Sequence, residues 1–140
     1  MASRVVVLDT NVLVAAIRSR RGASYQLLSQ VGSGSFEVAV SVPLVLEYED
    51  AMLRRRGTLG ASDVREIVDY VCSVARHQEI FYLWRPLLRD PKDDMVAEVA
   101  VASSASVIVT HNLRDFVGVE KFGLRAISPS AFLKQLGGSK

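Results

Sequence analysis

The sequence predicts an α/β fold organised around a parallel sheet, and three observations support that expectation. The runs Val5–Leu8 and Val107–Val109 are apolar at every position, the pattern of strands buried on both faces rather than one. Stretches of helical spacing alternate with such runs, which favours a parallel α/β sandwich whose ligands bind at the C-terminal ends of the strands. The chain has 140 residues, 49% of them apolar and 23% charged, a composition that builds a core rather than a disordered chain. A single domain over residues 1–136 is expected, with 137–140 as a flexible tail.

Val5–Leu8 forms the first strand and delivers Asp9, Thr10 and Asn11 at its tip. Apolar spacing from Val12 to Ile17 predicts a first helix, the arginine-rich segment at 18–22 breaks it, and Ala23 to Val31 predicts a second. Gly32 to Gly34 is a turn, and Phe36 to Val40 is a second strand. Ser41 is placed to cap the following helix, Pro43 sits early in it where a missing N–H costs nothing, and Gly57 stops it. Helical spacing recurs from Asp63 to Arg76. Ile80 to Trp84 reads as a third strand, with Tyr82 and Trp84 as core residues. Further on, the helical run MVAEVAVASSA leads into the strand Val107–Val109, which ends in Thr110.

A net charge of +2 is too mild to identify a nucleic-acid binder, so distribution matters more than the sum. Arg18, Arg20 and Arg21 crowd one segment and Arg54, Arg55 and Arg56 another, the composition of solvated helix ends as much as of a phosphate-binding surface. The single cysteine, Cys72, excludes an intramolecular disulfide and reads as core. The apolar run near the N-terminus is too short for a signal peptide, and no stretch approaches transmembrane length, so a cytoplasmic protein is expected. With His77 and His111 the only histidines and no cysteine pair, a zinc site of nitrogen and sulfur ligands is not expected.

Carboxylates are the informative feature. Asp9 follows VVVL directly, and a charge at that point is costly to bury unless it is paired or metal-bound. A parallel sheet would bring it near Glu47, on the helix after strand two, Asp94, at the start of a helix, and Asp115, after the turn that leaves the last strand. Singly, each has an ordinary structural role: Asp94 can complement a helix dipole, Glu47 can lie on the surface, and Asp115 can cap a helix near Phe116. Converging carboxylates repel one another and need a counter-charge, which Mg²⁺ or Mn²⁺ supplies through oxygen ligands. Thr10, Asn11 and Thr110 are placed to orient carboxylates or hold metal-bound water, although Thr10 and Asn11 equally suit a cap of the first helix. Arg18, Arg20 and Arg21, beside Gly22, form a candidate phosphate-contacting loop.

The stretches VVVLDTNVLVAAIRSRRGASYQLL, SVPLVLEYEDAML and LWRPLLRDPKDDMVAEVAVASSASVIVTHNLRDF together resemble the PIN domains, in particular the VapC-like toxins of prokaryotic toxin–antitoxin systems. The resemblance implies a three-layer α/β/α sandwich with a central, mainly parallel sheet. It implies Asp9, Glu47, Asp94 and Asp115 as metal-site acids, favours Asp94 over Asp93 or Asp90, and places Asn112 where many relatives carry an aspartate. The implied activity is hydrolysis of RNA phosphodiesters with Mg²⁺ or Mn²⁺. Asp9 and Asp94 would be the main ligands, Glu47 a ligand or water-orienting group, and Asp115 part of a second metal position. A cognate antitoxin and a homodimer are implied as partners. Two rivals remain at this point: a haloacid-dehalogenase-like phosphatase, which normally has a second aspartate where this chain has Asn11, and a non-catalytic RNA- or protein-binding PIN module.

Overall fold

The computed structural model describes residues 4–80 and 91–138. Its elements, in order, are β1 (Arg4–Leu8), α1 (Thr10–Arg18), α2 (Ala23–Ser29), β2 (Phe36–Val40), α3 (Val42–Arg54), α4 (Ala61–Val74), β3 (Arg76–His77), α5 (Pro91–Ala102) and β4 (Val107–Val109). Two 3₁₀ turns (Leu113–Phe116 and Val119–Phe122), β5 (Arg125–Ile127) and α6 (Pro129–Gly138) complete it. The described strands form one five-stranded sheet in the order β3-β2-β1-β4-β5. Every pairing in it is parallel, so each step between neighbours needs a crossover; α-helices supply them except from β4 to β5, where the two 3₁₀ turns do.

The result is the three-layer α/β/α sandwich that the alternation predicts. β1 occupies the middle of the sheet, and Val6, Val7 and Leu8 are all 0% exposed. An uninterrupted apolar run is required there because both faces of the strand are covered. Helix α5 packs on β1, β2 and β4, while α1 packs with α2 and α3, and α3 with α4. Ser41 caps α3 by accepting from the Leu44 N–H, and Pro43 lies in the first turn. The helix ends at Arg54, the first of the three arginines, and Gly57 takes φ 63° beyond it, a left-handed conformation that glycine adopts without a Cβ penalty.

Tyr48 ties this helix to the sheet. Its ring is 1% exposed, and its hydroxyl donates to the Leu8 carbonyl at 2.5 Å. The tip of β1 is thereby joined to α3 at the residue next to Glu47.

Some elements differ from the sequence expectation. The third strand is Arg76–His77 rather than Ile80–Trp84; Ile80 lies outside any strand, and Tyr82 and Trp84 fall outside the described residues. β3 is an edge strand of two exposed residues, so it carries no apolar signature. Cys72 is half-buried at the margin of the core rather than within it. His77 is exposed, with Nε2 2.7 Å from the Cys72 carbonyl. Among the described residues, no helix is long and apolar enough to cross a membrane.

Candidate active site

In the order β3-β2-β1-β4-β5 the chain leaves β1 toward one side of the sheet and later adds β4 on the other. A crevice opens at such a switch point, beyond the C-terminal ends of the two strands. Asp9 leaves β1 there and Thr110 leaves β4. The Asp9 N–H continues the ladder by donating to the Val109 carbonyl at 2.9 Å, and its extended backbone (φ −69°, ψ 150°) makes it the N-cap of α1.

The Asp9 side chain is held at both oxygens. Oδ1 accepts from the Thr10 N–H at 2.8 Å and Oδ2 accepts from Thr110 Oγ1 at 2.7 Å. Thr110 is 0% exposed, and the same Oγ1 accepts from the Asn112 N–H at 2.9 Å. Asp9 itself is 7% exposed. Burial pushes its carboxyl above the ordinary carboxylate value, the hydrogen bonds from Thr110 and Thr10 oppose that rise, nearby Asp115 adds to it, and His111 opposes it. A carboxylate in this position is stabilised by a cation.

The cleft around Asp9 is lined by Thr10, Asn11 and Val14 of α1, Glu47, Ala51 and Arg54 of α3, Arg55, Asp93 of α5, and Asn112 and Asp115 beyond β4. Glu47, Ala51 and Arg54 share a wall because residues four and seven apart lie on one helix face. The lining thus offers the carboxylates of Asp9, Glu47, Asp93 and Asp115 around one open space, an all-oxygen donor set suited to Mg²⁺ or Mn²⁺. Among the described residues, no three acidic, histidine or cysteine side chains stand close enough to grip an ion together.

A PIN-domain family model matches residues 5–114. The chain belongs to the PIN-domain family. Its fold is shared with VapBC2 from Rickettsia felis, solved bound to a DNA fragment from their promoter (17% identity, TM-score 0.60, 89% of this chain and 98% of that one). VapBC-1 from nontypeable Haemophilus influenzae is similar at 16% identity and a TM-score of 0.62, covering 90% of this chain and 98% of the other. PAE2754 from Pyrobaculum aerophilum is similar at 19% identity and a TM-score of 0.63, covering 99% and 92%. No curated protein sequence matches the chain significantly.

Within this PIN domain, three of the four acids expected from the sequence, Asp9, Glu47 and Asp115, line the cleft. The fourth position differs. Asp94 is 1% exposed and is not part of the lining, whereas its neighbour Asp93 is. Successive helix residues point about 100° apart, so the two aspartates face different directions from α5.

Thr10, Asn11 and Asn112 line the cleft as well, while Thr110 acts from behind Asp9. Asn11 does not cap α1, since that position is taken by Asp9; its Oδ1 accepts from the His111 N–H at 3.3 Å, joining α1 to the exit of β4. The His111 ring lies 2.6 Å from Ser24 Oγ on α2. The arginines divide differently from the expectation. Arg18 Nη1 donates to the Arg55 carbonyl at 3.3 Å, Arg20 and Arg21 are exposed and outside the lining, and Arg54 and Arg55 form part of it. The signal available in the sequence was the spacing of Arg54 from Glu47, two helical turns along one face.

Proposed function

We propose that this PIN domain is a metal-dependent endoribonuclease and the toxin of a type II toxin–antitoxin pair. The observation that carries the reading is the Asp9 carboxylate, buried at the tip of the central strand with like-charged Asp115 nearby and its pKa raised. Asp9, Glu47, Asp93 and Asp115 would hold Mg²⁺ or Mn²⁺. Asp94, the third acid implied by resemblance, is 1% exposed and outside the cleft lining, and it has a structural role in this reading. When bound, the metal supplies an ionised water and neutralises charge on a scissile phosphate.

The chain's own groups prepare that chemistry. Thr110 and the Thr10 N–H fix both oxygens of Asp9, so the carboxylate is oriented before a cation arrives. Glu47, whose side chain is 13% exposed, faces the cleft where its Oε atoms can bind the cation or orient the attacking water. Asp115 and Asn112 would serve a second metal position or its water shell. Ser24, 2% exposed and engaged with His111, is not placed as a nucleophile.

Membership of the PIN-domain family and the VapBC structures that share its fold support the toxin assignment. In this reading the partners are an RNA substrate, a cognate antitoxin and a second copy of the chain, and the protein acts in the cytoplasm. A Mn²⁺ titration against pooled structured and unstructured RNAs is the test. Internal cleavage that needs the metal and is blocked by a cognate antitoxin is expected. Mn²⁺ binding without cleavage of any RNA would leave a non-catalytic module, and a trapped acyl-phosphate on Asp9 would establish the phosphatase instead.

A further inference from the structure

We propose that single-stranded RNA lies along one continuous track through the cleft, with Arg54 and Arg114 contacting phosphates on either side of the acids. The choice of ligand rests on the nuclease reading above. The acidic cleft adjoins a second, polar hollow lined by His111, Asn112, Leu113, Arg114 and Asp115, and the two share Asn112 and Asp115. Arg54 stands in the first hollow and Arg114 in the second. Acids alone repel a polyanion, so cations on both flanks are what allow a phosphate chain to enter.

The Arg54 guanidinium is already oriented. Its Nε donates to Asp50 Oδ2 at 3.1 Å, while Nη2 stands 3.9 Å from Glu47 Oε1, beyond hydrogen-bond reach. Asp50 therefore fixes the stem of the fork, and Nη2 lies on the side of the cleft, toward Glu47. Exposed ion pairs of this kind contribute little stability, so turning the fork onto a phosphate, whose oxygens match its geometry, costs little. Arg18 steadies the same corner through the Arg55 carbonyl. Arg114 is exposed on a turn anchored by Phe116, which is 1% exposed, and by the Asp115 N–H bonded to the Asn112 carbonyl at 3.0 Å.

The test uses a fluorescein-labelled single-stranded RNA of mixed sequence, with Ca²⁺ as the divalent cation and fluorescence anisotropy read across a KCl series. Wild type, Arg54→Gln, Arg114→Gln and the double variant Arg20→Gln/Arg21→Gln are compared, with folding checked by circular dichroism. Each phosphate contact on a single strand contributes about 0.7 to the slope of log Kd against log salt. Arg54→Gln and Arg114→Gln should each lower the slope by about that amount and raise Kd several-fold, and the double variant should change the slope less than either. An unchanged slope in either single variant overturns the track. Cleavage in Mn²⁺ is measured separately. Wild type that binds with these slopes yet cuts nothing sinks the nuclease reading and leaves the track standing, whereas cleavage with unaltered slopes in the variants does the reverse.

Discussion

Thr110→Val is the most exacting probe of the site, because it removes one hydroxyl from a fully buried position and little else. Valine matches threonine closely in shape, so the change is read as lost hydrogen bonding rather than as a cavity. Two bonds are affected: the one donated to Asp9 Oδ2 at 2.7 Å and the one accepted from the Asn112 N–H at 2.9 Å. A bond to a charged group contributes about 1.5–3 kcal/mol, and the added methyl burial returns about 0.8 kcal/mol. A net loss of about 1–3 kcal/mol is therefore expected in metal-free protein at neutral pH. Unfolding entropy is about 2.1 cal/mol/K per residue, so a chain of this length shifts by roughly 3–4 °C per kcal/mol, and the melting temperature should fall by about 3–10 °C. The hydroxyl favours ionised Asp9 and holds its pKa down against burial; without it that pKa rises further, and the acid limb of the cleavage profile moves to higher pH. Below the ordinary aspartate value Asp9 is protonated in both folded and unfolded chains, so the deficit should narrow as pH falls. Thr110→Ser, which keeps the oxygen, should restore most of both effects. Urea denaturation followed by circular dichroism measures the loss, and a deficit under about 0.5 kcal/mol, or one that serine does not relieve, would refute the reasoning.

Asp9→Asn should lower cleavage at least about a hundredfold while the protein remains folded. Because the folded pKa of Asp9 is raised, its contribution to stability is complete below the unfolded value and is lost as pH rises through the folded one. In chelator, the stability of Asp9→Asn relative to wild type should therefore improve with increasing pH, and a difference that stays flat would remove the buried charge as its cause. Tyr48→Phe, which removes the donor to the Leu8 carbonyl, should cost about 1–3 kcal/mol in urea; an unchanged midpoint would show that this bond does not join α3 to β1. Asp93→Asn should shrink the stability gained from Mn²⁺, about 2.7 kcal/mol at a hundred times Kd. Asp94→Asn should lower the metal-free melting temperature and leave that gain intact, and scanning calorimetry showing the reverse would return Asp94 to the site.

The parts of the fold that the sequence discloses are those where one physical demand dominates. β1 and β4 are legible because a strand covered on both faces needs unbroken apolar residues, and the start of α3 because Ser41 and Pro43 suit only a first turn. β3 and β5 are two and three residues long, and their pairing comes from neighbouring strands rather than from their own side chains. That Asp93 rather than Asp94 lines the cleft is not legible in α5 itself. Val96, Ala97, Val99 and Ala100 are all at most 1% exposed, so the helix is buried around much of its circumference and has no polar stripe to set its phase. Arg54 and Arg55 looked like an ordinary basic helix end because the wall they complete is assembled from α1, α5 and the segment after β4, which no local pattern reports.

The bond between Thr110 and Asp9 joins positions 101 residues apart, and that separation gives the protein a timetable. A ribosome makes the central strand well before its β4 neighbour. At about 5–20 residues per second, roughly 5–20 s pass between the emergence of the two ends of this bond. Throughout that interval Asp9 lacks its buried donor, and the residues that close the cleft beyond β4 do not yet exist. A chain that stops short of β4 therefore lacks part of the cleft, and in the nuclease reading proposed above it should be inactive.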